Sequence, residues 1–140
     1  MYLLDTNVIS EQRRIGTAKE NSNVAAWTRA TPIDLMSVSV ISLCELEVWV
    51  LQTERRDPGQ GVRMRRWFED RVIDAFRDRI CRIDEAIASR CASLRVPDPK
   101  PVADALIAAT ALVHGLTVVT RNVADFAPMG VKLLNPWEPQ

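Results

Sequence analysis

Short apolar runs alternate along the chain with longer stretches whose apolar residues recur at helical spacing. Tyr2–Leu4 predicts a short strand that stops at Asp5, and Thr6-Asn7 then offer cap chemistry for a helix reaching about Arg14. A polar break over residues 16–23 leads to a helix over 24–30 carrying Trp27, which Thr31-Pro32 ends. Residues 34–40 (DLMSVSV) read as a second strand. The helix predicted over 41–52 presents Ile41, Cys44, Val48, Trp49 and Leu51 as its apolar positions. DPGQG at 57–61 reads as a turn, followed by an arginine-rich amphipathic helix over 62–76. Residues 80–83 (ICRI) predict a third strand, and Asp84 caps a helix to about Leu94. Pro97, Pro99 and Pro101 stiffen a loop into a helix over Val102–His114, with Gly115 as its C-terminal cap. The last strands fall at 116–119 (LTVV) and 131–134 (VKLL).

Short strands without polar alternation, interleaved with helices, predict an α/β fold around a mainly parallel sheet buried on both faces. No repeat, linker or low-complexity tract divides residues 1–140, so one domain is expected. With 47% hydrophobic and 26% charged residues, the composition is that of an ordinary globular protein. The N-terminus lacks a basic region and meets Asp5 at once, which does not fit a signal peptide, and no apolar run could cross a bilayer. A cytoplasmic protein without membrane partners is expected.

The three cysteines, Cys44, Cys81 and Cys91, show neither CxxC nor cysteine–histidine spacing, which speaks against disulfides and zinc. Cys44 reads as a small core residue. A net charge of zero argues against a nonspecific polyanion binder, so any nucleic-acid contact would have to be local. The arginines around DPGQG (Arg55, Arg56, Arg63, Arg65, Arg66) read first as a solvated helix face. Trp27, Trp49 and Trp67 read as core or interface residues.

The chemistry concentrates in acids far apart in sequence: Asp5, Glu45, Asp104, and Asn122 with Asp125 in TRNVADF. In an open α/β sheet the ligand crevice lies beyond the carboxyl ends of the strands, where these residues are predicted to fall. Each has a plainer alternative. Asp5 could only cap a helix, Asp104 could only favour a helix N-terminus, and Asp125 could be a turn residue. Glu45 and Glu47 interrupt an otherwise apolar helix, where a buried unpaired carboxylate would be costly, and, two residues apart, only one of them can share the pocket. Two carboxylates about 4 Å apart repel by roughly 4 kcal/mol at a protein-like dielectric, so a gathered cluster calls for a cation. Oxygen donors without histidine or cysteine favour Mg²⁺, with Mn²⁺ as a substitute, and such an ion can activate a water against a phosphate.

LLDTNVIS, Glu45 in its helix, ADALIAATA, TRN and the closing NPW (Asn135, Pro136, Trp137) together resemble PIN-domain ribonucleases. More narrowly they resemble the VapC toxins of type II toxin–antitoxin pairs, in the FitB-like branch, over essentially the whole chain. The resemblance implies a PIN-like fold with a five-stranded sheet between helices, and Mg²⁺-dependent cleavage of RNA. It also implies a homodimer, a small antitoxin partner, and contact with DNA only through that antitoxin. By position, Asp5 and Asp104 match the principal metal ligands and Glu45 the third acid. The fourth acid's place is taken by Asn122, which offers a carbonyl oxygen but no charge. Asp125 reaches the site if 122–126 forms a helical turn. One ion held by Asp5 and Asp104 is therefore expected, with Glu45 and Asp125 acting through water. Thr6, Asn7 and Thr120 are candidates to orient the carboxylates, and Arg121 is a candidate phosphate contact. Asn122 also leaves open a weakened PIN domain that binds RNA, or sits in an antitoxin-mediated DNA complex, without cutting. A receiver domain or an Asp-x-Asp phosphatase fits poorly, because Thr6 and Asn7 follow Asp5.

Overall fold

The computed structural model describes residues 1–140. Five parallel strands form one sheet: β1 (Tyr2–Leu4), β2 (Met36–Ser39), β3 (Ile80–Cys81), β4 (Thr117–Val119) and β5 (Leu133–Leu134), in the order β3-β2-β1-β4-β5. The first strand is thus the middle one, with Leu4 level with Val38 on one side and Val119 on the other.

Alternate residues of these strands enter different cores. Leu3 and Val118 pack with Ile87, Ile107, Ala108 and Phe126, from α5 (Glu85–Leu94), α6 (Val102–His114) and α7 (Val123–Phe126). Leu4, Val38 and Val119 pack with residues of α1 (Thr6–Gln12), α2 (Ser22–Ala30), α3 (Val40–Arg56) and α4 (Pro58–Trp67). Both faces are covered, so even β2, which alternates Met36, Ser37, Val38 and Ser39, is buried at every position. No helix is long and apolar enough to cross a membrane.

The helix starts follow polar residues at strand ends and at helix joints. Asp5, Asn21, Ser39, Asp57 and Asp84 each accept a bond from a backbone amide at the start of the helix that follows. Gly115, with φ of 67°, closes α6 in the left-handed conformation, and His114 lies in the last turn as expected.

Several expectations need correction. DPGQG is not a turn: α3 runs to Arg56, Asp57 is the joint, and Pro58 already occupies the first turn of α4. Aspartate and proline serve helix starts and turns alike, so the sequence could be read either way. The predicted 62–76 helix changes winding at Phe68, where a wider π-type turn runs to Asp74. The second strand begins at Met36 rather than Asp34, because Ile33–Leu35 form a tight helical turn. The third and fifth strands are also shorter than predicted.

The largest error concerns α3. Its core-facing residues are Ser42, Leu46, Val50 and Thr53, whereas Cys44, Val48 and Leu51 are exposed. Cys44 is therefore not a core residue. A helix apolar nearly all round gives periodicity little power to choose a face. Thr53 is tolerated inside because its hydroxyl bonds the Trp49 carbonyl at 2.9 Å.

The α3–α4 pair is unusually close. A Cβ on Gly61 would lie 2.6 Å from the Glu54 Cα, so only glycine fits at that crossing. Alongside it, Arg65 donates to Glu47 at 2.6 Å and to Glu54 at 2.9 Å, and these partners raise the guanidinium pKa further. Glu47 is thus turned away from Glu45, as their spacing requires. Gly61→Ala should lower the urea unfolding free energy by about 1–3 kcal/mol through overpacking. Gly59→Ala, whose added carbon meets only the Asp57 Oδ1 at 3.5 Å, should leave stability unchanged or slightly raised. Chemical denaturation of the two variants side by side checks this.

Candidate functional site

The carboxyl ends of β1, β2 and β4 open onto a pocket of about 330 Å³. Its walls include Asp5, Thr6, Asn7, Glu45, Asp104 and Asn122, together with Ser10, Leu46 and Trp49. Three carboxylates line it, and no basic side chain does. A larger, mostly apolar pocket of about 480 Å³ lies on the α1–α2 side and contains no acid.

Asp5 is the most constrained group. It is only 6% exposed at the end of the middle strand, and its amide bonds the Val119 carbonyl at 2.9 Å. Its Oδ1 accepts the Thr6 amide at 2.8 Å and its Oδ2 accepts the Thr120 hydroxyl at 2.7 Å. Thr120 is itself held, its oxygen accepting the Asn122 amide at 2.9 Å and the Asn7 side-chain amide at 3.5 Å. The Arg121 amide returns to the Asn7 Oδ1 at 3.4 Å.

Glu45 differs from the buried carboxylate its apolar surroundings suggested. It is exposed at the pocket mouth, where its Oε1 accepts the Thr6 hydroxyl at 2.6 Å. Ser42, one turn earlier, lies 3.0 Å from the same hydroxyl. Asp104 sits in the first turn of α6, half-buried. Residues 123–126 do form the helical turn that Asp125 needed, and its charge is felt at Asp104, though Asp125 does not line the pocket.

Burial is the chief cause that raises the Asp5 pKa. The bonds from Thr120 and Thr6 pull it back, while the charges of Asp104 and Glu45 push it up again. Asp104 is likewise raised, by burial first and then by Asp125 and Glu45. Carboxylates crowded without a counter-charge form a donor set suited to a hard cation. No three of them are drawn together tightly enough to enclose an ion unaided. Such a set suits an ion that keeps several waters and needs only one or two direct carboxylates.

Sequence reasoning missed Ser10, Ser42 and Trp49. The signal was present in helical spacing: Ser10 is four residues after Thr6, while Ser42 and Trp49 stand three before and four after Glu45. Trp49 is half-buried at the pocket wall rather than sunk in the core. Trp27, by contrast, is a core residue, edge-on to Tyr2 at 5.4 Å.

The PIN-domain family model matches residues 2–129. The chain belongs to the PIN-domain family. It is 34% identical to toxin FitB of Neisseria gonorrhoeae, over 98% of this chain and 99% of that protein. It is 33% identical to VapC ribonuclease Y4jK of Sinorhizobium fredii, over 99% of each. A solved structure of FitAB bound to an IR36 DNA fragment superposes with a TM-score of 0.90 at 31% identity, covering 100% of this chain and 98% of that one. The five-stranded parallel sheet between helices is thus the PIN fold expected from the sequence.

The acids of this PIN domain are gathered at a cost to its stability. A carboxylate whose pKa is higher folded than unfolded makes the folded state bind more protons over the interval between the two values. Stability from that source is therefore present at low pH and is lost as pH rises through the folded pKa. Asp104 makes no side-chain hydrogen bond that asparagine would lose. Asp104→Asn should accordingly raise the unfolding midpoint of the EDTA-treated protein at neutral pH. The gain should shrink as pH falls through the folded pKa and vanish below the ordinary carboxylate value of 3.8, where the wild-type side chain becomes protonated in both states. Urea titrations across that pH range measure both.

Proposed function

We propose that this PIN domain is a Mg²⁺-dependent endoribonuclease and the toxin of a type II toxin–antitoxin pair, with Mn²⁺ able to substitute. The observation that carries the reading is the pocket lined by Asp5, Glu45 and Asp104 without a basic side chain. The likeness to a toxin and to a VapC ribonuclease over whole chains supports the same substrate and biological role.

Asp5 and Asp104 are the direct ligands. When bound there, Mg²⁺ would offset charge on the scissile phosphate and lower the pKa of a water. Thr120 and the Thr6 amide hold the Asp5 carboxylate in one orientation, so that no reorganisation is needed when an ion arrives. Glu45, fixed by Thr6, orients water at the pocket mouth, and Asp125 adds negative charge on the far side of Asp104. Asn122 contributes an uncharged oxygen. Arg121, with its guanidinium 5.2 Å from the Trp137 ring, is an exposed cation beside the pocket for a substrate phosphate.

Asp5→Asn and Asp104→Asn should each lower RNA cleavage by more than about a hundredfold, beyond what losing a supporting hydrogen bond costs. Both should abolish growth arrest on induction while keeping the wild-type circular dichroism spectrum. Sequencing of RNA ends after induction measures the first effect in cells. Full toxicity of the folded Asp5→Asn protein would exclude the nuclease reading. The rival, a PIN domain that binds RNA without cutting, draws on the missing charge at Asn122. Binding that persists in EDTA, with no RNA cleaved in Mg²⁺, would favour it.

The partners proposed are a second copy of the chain and a small antitoxin, with DNA reached only through the antitoxin. Net charge zero leaves little for unaided DNA binding, and a similar protein is known in a DNA-bound FitAB complex. The homodimer is supported by the outer face of α3, where Val48 is 47% and Leu51 50% exposed beside Cys44. Val48→Asp with Leu51→Asp should shift the purified protein from dimer to monomer in light scattering, leaving its unfolding midpoint little changed.

A further inference from the structure

The acidic pocket does not end at its acids. Trp49 belongs both to its wall and to that of an adjoining pocket of about 320 Å³, which Arg13, Arg56, Gln60 and Met64 also line. The two pockets adjoin at Trp49, side by side along α1 and α3. Thr6, Ser10 and Arg13 follow one another along α1 at spacings of four and three residues, while Glu45, Trp49, Thr53 and Arg56 do so along α3. Seven residues of helix span about 10 Å from Thr6 to Arg13. The charge changes sign on the way, from carboxylates at one end to two arginines at the other.

Arg13 is held in an uncommon way. Its guanidinium lies 5.8 Å from the centre of the Trp49 ring, and it makes no ion pair with any carboxylate. Its neighbour Arg14 is paired with Glu11, and Arg65 with Glu47 and Glu54. Asp57, the acid of the second pocket, is engaged in capping α4 through the Gln60 amide at 3.2 Å. An aromatic face fixes an arginine without neutralising it, so the charge of Arg13 stays available to an anion while the side chain is pre-ordered.

The geometry points to a single-stranded RNA path that runs from the acidic pocket past Trp49 to Arg13 and Arg56. Arg13 takes a phosphate flanking the scissile one, and the indole of Trp49 lies beneath the intervening nucleotide. This inference rests on the nuclease reading and adds to it a positioning residue and a direction for the substrate. Single-stranded RNA fits better than a peptide because one polyanion satisfies both ends. Its phosphates meet unneutralised arginines at one end and, through a cation, carboxylates at the other.

The test measures binding of a short fluorescein-labelled oligouridylate to the full chain in EDTA, by anisotropy over a series of salt concentrations. Arg13→Gln should weaken binding about five- to tenfold and reduce the slope of log affinity against log salt by about 0.7, one phosphate contact on a single strand. Arg13→Lys should restore the slope but not the full affinity, because it keeps the charge and loses the planar fork. Trp49→Leu should weaken binding by about tenfold with the slope unchanged. Arg14→Gln, next to Arg13 but ion-paired, should change neither. In Mg²⁺, Arg13→Gln should raise KM for RNA cleavage and leave kcat within about twofold. Wild-type affinity, slope and KM in Arg13→Gln would overturn the path while leaving the nuclease reading intact. So would normal RNA binding by that variant combined with loss of its antitoxin, which would assign this surface to a peptide. A wild-type protein that neither binds nor cuts single-stranded RNA would remove both readings.

Discussion

A buried carboxylate at the end of the middle strand is the constraint on which the site depends. Asp5 can stay there because Thr120 and the Thr6 amide each supply a hydrogen bond, and because its own amide continues the ladder to β4. Those partners come from two neighbouring strand ends, so strand register and carboxylate orientation are one fact. A one-residue slip between β1 and β4 would send alternate side chains to the other face and strip Asp5 of Thr120 together. The apolar strands, buried on both faces, make such a slip expensive. The core thus holds the site in place.

The same economy is seen on α3. The helix presents Glu45 and Trp49 to the pocket, holds buried Ser42 against the Thr6 hydroxyl, packs Leu46 and Val50 into the core, and leaves Val48 and Leu51 outward. These demands on one helix require it to be long and immobile. The close approach of α4 at Gly61 and the double grip of Glu47 and Glu54 on Arg65 supply that. Arginine 65 is therefore structural although it lies in the densest run of basic residues, while Arg13, outside that run, keeps an unneutralised charge beside the pocket. Local charge density is a poor guide to which cation is free, since pairing decides.

The places of the strands along the chain and the acids at their ends were legible because their signals are local and redundant. Tyr2–Leu4 stops at Asp5, Asp84 and Gly115 are plain helix boundaries, and acids at predicted strand ends need only the parallel rule to meet. What failed had locally ambiguous chemistry. Asp57-Pro58 suits a turn and a helix start equally, and α3 is apolar nearly all round, so Cys44 and Val48 were indistinguishable from core residues. Glu45 was selected for a wrong reason: it is not buried, and its place follows from Thr6 thirty-nine residues earlier in the chain. Trp49 was missed because its role depends on α1 lying alongside, a long-range fact that no periodicity contains.

Charge counting bears on how many ions such a site can hold. Asp5, Glu45 and Asp104 face the pocket, and Asp125 acts on Asp104 from outside it. An acid at position 122 would bring a fourth charge directly to the wall, enough to balance two divalent ions. Asn122 gives only an oxygen, and three carboxylates around one divalent ion leave roughly one negative charge uncompensated. A second ion would enter a pocket already near neutrality and would have to shed water for little Coulombic return. On the proposed nuclease reading, the positive charge still needed at the scissile phosphate would fall to the protein. Arg121, ordered by the Trp137 ring and paired with no acid, stands beside the pocket where that charge is wanted, while Arg13 on Trp49 serves a phosphate farther along the proposed RNA path.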